Sequence, residues 1–158
     1  MSVRLYRSLD ELPADFGPSA VSIGNFDGVH EGHKALFRKV VSVARANGWK
    51  AGVLTFSPHP ATIVAPSRAP LLMTTPEQRV ALMASHGVEE AIILPFTGEL
   101  ALLSPEEFVR QILIDRMQVR AVVVGHNFRF GHRAAGDIRL LAELGSRLGF
   151  ETHVINEV

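Results

Sequence analysis

The stretch "AVSIGNFDGVHEGHKALFRKVVSVARANG", residues 20–48, decides the fold. Its start, "AVSIGNF", is a short apolar run that reads as a buried strand. The period then changes, with Leu36, Phe37, Val40, Val43 and Ala44 recurring at helical spacing. Asn47 and Gly48 supply a helix stop. "KAGVLTF" (50–56) follows as a second strand. A strand, a glycine turn, a helix and a strand make a βαβ unit, with a right-handed crossover and parallel strands.

The same alternation continues along the chain. A helix begins near Pro76, where Thr75 and Gln78 form a capping box, and Gly87 closes it. "EAIILPF" (90–96) is a third strand. Ser104, Pro105 and Glu107 repeat the capping pattern and open a helix to about Met117. "RAVVVGH" (120–126) is a fourth strand. Asp137 caps "IRLLAELGSRL", Gly149 ends it, and "ETHVIN" is a fifth strand. Continuous rather than alternating apolar runs point to strands buried on both faces. The expected fold is α/β: a Rossmann-like, doubly wound, mostly parallel five-stranded sheet with helices on both faces. The loop from Ser57 to Thr74 is oversized, and such loops in compact domains are often functional.

The 158 residues, 47% hydrophobic, suit one domain spanning 1–158. Sixteen basic and sixteen acidic residues cancel, which argues against a broad nucleic-acid face. Without cysteine there is no disulfide, thiolate nucleophile or Cys-based zinc site. Apolar runs such as "AVVVG" are far short of the ~20 residues of a membrane helix, and "MSVRLYRSLDELP" lacks a signal-peptide core. The expectation is a soluble cytoplasmic protein with no membrane partner.

In an open parallel sheet, ligands bind outside the carboxyl ends of the strands. Three unusual segments follow strands: "GNFDGVHEGH", "SPHP" and "GHNFRFGHRAAGD". They hold five of the seven histidines, His30, His33, His59, His126 and His132, and should share one edge. A glycine turn feeding a helix leaves backbone N–H groups free to hold an anion, phosphate above all. Gly24 and Gly28 let backbone approach a ligand, and Gly32 leaves room for a bulky one. His30 and His33, about one turn apart, would project from one side of the helix start. Two other readings stand beside this one. His30, His33 and His59 are candidates for three zinc ligands, although Glu31 is not at the HExxH position. Alternatively, the stretch is a helix cap with incidental histidines. Neither GxGxxG nor a Walker loop is present.

These segments, "GNFDGVHEGH", "TFSPHP" and "VVVGHNFRFGHRAAGD", resemble in order and spacing the FMN adenylyltransferase module of prokaryotic-type FAD synthetases. That module belongs to the wider HxGH nucleotidyltransferase superfamily. The resemblance covers about Val21 to Val158. It implies that ATP and FMN give FAD and pyrophosphate, with Mg2+ accompanying ATP. It further implies that His30 and His33 contact the ATP phosphates and stabilise the transition state. Gly24, Phe26 and Asp27 would shape the adenylate pocket, and Asn127 would contact phosphate. Phe130 would lie near the flavin ring, and Pro58, His59 and Pro60 would border the FMN site. Gly125, Phe128 and Arg129 complete the expected binding set. Asp27 has two readings, placing magnesium or capping its own turn. Phe128 and Phe130 alternate with Arg129, so one side would face the crevice and the other the core.

Some features depart from the family pattern. The ISSTxxR-type segment expected after the fifth strand and the C-terminal riboflavin kinase module are not in these residues. His126 stands where many relatives carry an acidic residue, and Val64 where some carry an aromatic. The expectation is therefore a chain that binds nucleotide or flavin more readily than it turns them over. The rival functions are a non-catalytic nucleotide or flavin-binding module, and another HxGH nucleotidyltransferase with a different acceptor.

Overall fold

The computed structural model describes residues 3–24, 26, 31–57 and 76–156, with backbone alone at 31, 32, 76 and 77. Six strands among them form one sheet: β1 (Arg4–Tyr6), β2 (Ser19–Ile23), β3 (Lys50–Ser57), β4 (Glu90–Pro95), β5 (Val119–Gly125) and β6 (Glu151–Ile155). Their spatial order is β1-β4-β3-β2-β5-β6, and every neighbouring pair is parallel. The five expected strands are β2 to β6, and the expected count of five is corrected to six. The added strand β1 has three residues, too few for any period to show. It is fixed by a distant partner instead. Arg4 Nε donates to the Glu90 carboxylate at 2.8 and 3.0 Å, and Glu90 is fully buried. A buried carboxylate without a cation is costly, so the pair holds β1 on β4.

Among the described residues five α-helices connect the strands: α1 (Glu31–Asn47), α2 (Pro76–Ser85), α3 (Gly98–Ala101), α4 (Pro105–Phe108) and α5 (Ile138–Leu148). The expected stop signals operate. Gly48 takes φ +71°, and the Trp49 N–H donates to the Ala44 carbonyl at 2.9 Å. At α4, Ser104 Oγ accepts from the Glu107 N–H, and the Glu107 carboxylate accepts from the Ser104 N–H, at 3.1 and 2.9 Å. The helix then widens to π-type turns over Val109–Ile114 rather than running uniformly to Met117. Thr75, the expected cap of α2, lies outside the described residues, and Pro76 is the first helical residue. The short α3 was not anticipated; Thr97 Oγ1 caps it by accepting from the Leu100 N–H.

Side-chain alternation along the strands divides the core in two. Val21, Ile23, Val122 and Val124 pack on one face with Phe108, Ile112, Met117, Leu141 and Leu144. Ala20, Ala121 and Val123 pack on the other with Leu36, Phe37, Val40 and Met83. Both faces are covered, which is why the strands read as unbroken apolar runs. From β2 the chain proceeds to β3 and β4 on one side, then crosses to β5 and β6 on the other. Strand order therefore reverses between β2 and β5, whose carboxyl ends at Ile23 and Gly125 border the crevice that such folds use for ligands.

Candidate functional site

Because the sheet is wholly parallel, β2, β3 and β5 end on one edge, and the three unusual segments leave from it. Asp27, Gly28, His30, Pro58, His59 and Pro60 lie outside the described residues. The described candidates fall on the two lips of the β2–β5 crevice: Gly24, Phe26, Gly32 and His33 on one, Gly125 and Asn127 to Phe130 on the other.

The first lip turns inward. Phe26 takes φ +52°, a left-handed conformation unusual for a bulky side chain. Its ring is 4% exposed and lies 5.1 Å from Phe37 and 5.5 Å, edge-on, from His33. A Cβ on Gly24 would meet that ring at 3.1–3.4 Å. Gly24 therefore makes room for Phe26, an occupant from the chain itself rather than a ligand. Gly32 lies in the first turn of α1. His33, expected to project into the crevice, is only 8% exposed. An amphipathic helix directs its apolar stripe to the sheet, and His33 sits four residues before Phe37 on that stripe.

The second lip turns outward. Gly125 ends β5 and is buried, and the Phe128 N–H donates back to its carbonyl at 3.1 Å, closing a tight turn. The turn leaves His126, Asn127 and Arg129 exposed. The anticipated alternation holds, but the aromatic side faces the core. Phe130 is 6% exposed, with Phe108 6.0 Å away and Phe128 stacked on it at 5.6 Å and 9°. Phe128 is half-buried and covers Phe130, so of these two rings it is the more accessible. Phe130 and Gly136 exchange both backbone hydrogen bonds, at 3.1 and 2.8 Å, and so close the loop between them.

Asp137 begins α5 just beyond this loop. Its carboxylate accepts from the Leu140 N–H at 3.0 Å. That bond above all, with the positive charges of Arg129 and Arg139, holds the carboxyl below its usual range. The N-terminus of α5 is thus already met by an anion of the chain itself, and Arg129 stands near enough to contribute.

Among the described residues no three His, Asp or Glu side chains gather in a metal-holding group. His33 is the one described member of the zinc trio considered above. The sequence reading passed over Gly131, Gly136 and Pro105 as parts of the second lip. Their signal was the pair of glycines in "FGHRAAG": Gly131 lies against Pro105 of a distant helix and Gly136 against Phe130 of the same loop.

A doubly wound parallel sheet in which β2, β3 and β5 end on one edge defines a Rossmann-like α/β domain. Comparison with known proteins goes further: the FAD synthetase family model matches residues 12–158, and the chain belongs to that family. It is 30% identical over 156 residues to a bifunctional riboflavin kinase/FMN adenylyltransferase of Buchnera aphidicola subsp. Schizaphis graminum, covering 99% of this chain and 50% of that protein. It is 33% identical to the protein of the same description from Pseudomonas fluorescens, with the same coverage of 99% and 50%. The chain thus spans about half the length of the curated relatives it matches. A crystal structure described as a macrolide-efflux protein from Streptococcus pneumoniae superposes with a TM-score of 0.84 at 26% identity, over 100% of this chain and 60% of that one. No helix among the described residues is long and apolar enough to cross a membrane.

Proposed function

We propose that this chain is an FMN adenylyltransferase, moving AMP from ATP to FMN with release of pyrophosphate. The observation that supports the reading is that β2 and β5, the strands that lead into the first and third motif segments, end side by side at the switch point, in a chain of the FAD synthetase family. An FMN phosphate oxygen attacks the α-phosphorus of ATP. A new P–O–P link forms, the α–β bond breaks, and pyrophosphate leaves. The attacking phosphate is already an anion, so no residue need remove a proton. The work left for the protein is alignment and charge stabilisation.

Each lip then has a part. His30 and His33 of the HxGH motif stabilise charge on the ATP phosphates, and Gly24, Phe26, Asp27, Gly28 and Gly32 shape the adenylate side. Asn127 and Arg129, exposed after β5, take phosphate oxygens. Phe128, rather than the buried Phe130, offers its ring to the flavin. Pro58, His59 and Pro60 border the FMN side. Magnesium ordinarily reaches such sites on the triphosphate with one or two carboxylates. The reading assigns it to ATP, with Asp27 helping to place it.

Residues 1–158 act as one nucleotidyltransferase unit, and a riboflavin kinase, the other half of the relatives' description, would supply FMN. A cysteine-free chain using ATP suits the cytoplasm. The test is incubation with ATP, FMN and Mg2+, following FAD by chromatography and pyrophosphate by release. FAD formation dependent on both substrates is expected. Absence of both FAD and saturable binding of either substrate would remove the reading. The burial of His33 favours one second reading, a chain that binds both ligands without turning them over. It predicts saturable binding and no FAD.

A further inference from the structure

The loop that carries Asn127, Phe128 and Arg129 does not stand by itself. Immediately beyond it, Gly131 takes φ +81°, and a Cβ there would lie 2.7 Å from both the ring Cγ and the backbone nitrogen of Pro105. Backbone at residue 131 therefore lies directly on the first turn of α4. Two further ties join the same elements. The His132 N–H donates to the Leu103 carbonyl at 2.7 Å, and Phe108, one turn along α4, meets Phe130 at 6.0 Å. On its far side the loop is closed at Phe130–Gly136, where a Cβ on Gly136 would strike the Phe130 ring at 2.7 Å. Between these anchors Arg133 and Ala134 hold φ of +56° and +54°. Non-glycine residues keep such conformations only where their surroundings over-determine them.

We propose that Gly131 is a positioning residue for the acceptor side of the reaction. By letting the loop lie on Pro105, it allows the capped start of α4 to set where Asn127, Phe128 and Arg129 stand in the crevice. This rests on the adenylyltransferase reading, since it is FMN that those residues are held to meet. The capping box at Ser104 and Glu107 gains a second purpose: it makes the start of α4 a firm seat for the loop. Reacting groups misplaced by about an ångström lose substantial rate, so a seat of this kind matters even without touching substrate.

The test compares Gly131→Ala with Gly48→Ala. Gly48 has a similar φ of +71°, but a Cβ there meets nothing within 4 Å, and it lies at the far end of α1. Gly48→Ala controls for a positive φ alone; Gly131, with ψ 177° beside its φ of +81°, is the more strained site for alanine, so Pro105→Ala, which loosens the seam without touching that backbone, is measured beside it. FMN is titrated by quenching of its own fluorescence, ATP by calorimetry, and the loop by trypsin cleavage after Arg129 and Arg133. For Gly131→Ala the expected result is FMN affinity at least about tenfold weaker, faster cleavage and unchanged ATP affinity. Gly48→Ala should bind FMN as the parent does. A folded Gly131→Ala with parental FMN affinity overturns the proposal, as does an equal loss in Gly48→Ala. Should Gly131→Ala not fold, Pro105→Ala loosens the seam from the other side, and parental FMN affinity there is equally fatal. A parent chain that does not bind FMN at all defeats the adenylyltransferase reading itself, and the proposal falls with it.

Discussion

The two lips of the crevice are built on opposite plans. On the α1 lip, Phe26 and His33 are drawn into the hydrophobic core, and Gly24 is bare because a ring of its own chain needs the space. On the β5 lip, the anchoring is done by backbone hydrogen bonds and glycine contacts, and Asn127 and Arg129 are left in solvent. Residue type alone suggested that glycines and histidines face a ligand and that phenylalanines divide between ligand and core. In the structure Gly24 leaves space for the Phe26 ring, and Phe26 and His33 are buried. Substitutions on the α1 lip should therefore disturb stability and function together, while those on the exposed part of the β5 lip should separate them.

The sharpest test of that contrast is His33. Its replacement by alanine should cost about 2–3 kcal/mol of stability, because a buried ring with an aromatic contact is lost. FAD formation should fall by about 10²–10³-fold, the usual effect of deleting a transition-state donor. His33→Phe keeps a ring against Phe26 and removes the donors, so it should recover most of the stability and none of the rate. Denaturant unfolding and initial rates read the two effects separately. A fully stable alanine variant would contradict the inward plan of this lip, and an active phenylalanine variant would end the catalytic assignment.

Next in size are the two stacked phenylalanines. Phe130→Ala should cost about 3–5 kcal/mol, the range for a buried phenylalanine. Phe128→Ala should cost less, because that ring is only partly buried, yet it should weaken FMN binding more than its stability loss explains. Thermal unfolding alongside flavin fluorescence tests both. Equal stability losses, or flavin binding insensitive to Phe128, would show that the order of the stack has been misread.

These contrasts mark how far the sequence could be read. Elements encoded by near neighbours were legible: the strand–helix alternation, the Asp137 cap, the Gly149 stop and the Ser104–Glu107 box are all local patterns. So was the sharing of one edge, since it follows from parallel topology alone. Long-range partners were not legible. Strand β1 depends on a carboxylate 86 positions away, and the depth of His33 depends on where Phe26 folds. Gly131 is bare because of Pro105, and its own neighbours in sequence give no hint of that. Phe130, placed near the flavin by family likeness, is buried between Phe128 and Phe108, and its contact with Phe108 is not visible from its own neighbours in sequence.

The smallest expected effect concerns Asp137, where the β5 lip joins α5. Its carboxyl is held below the ordinary range, first by the Leu140 N–H and then by nearby arginines. A carboxyl depressed in the folded state stabilises the fold above its unfolded pKa, about 4, and that contribution disappears as pH falls through the depressed value. Asp137→Asn keeps an oxygen to accept the Leu140 N–H but cannot titrate. Its stability should therefore match the parent closely at low pH, fall slightly below it near neutrality, and show a flatter acid limb. Urea midpoints measured across the acid range provide the comparison. Arg129→Gln removes one of the charges that depress the carboxyl, so the Asp137 resonance should titrate at higher pH in that variant than in the parent. An unmoved Asp137 titration would separate Arg129 from the cap of α5, and with it the electrostatic link between the exposed lip and the helix behind it.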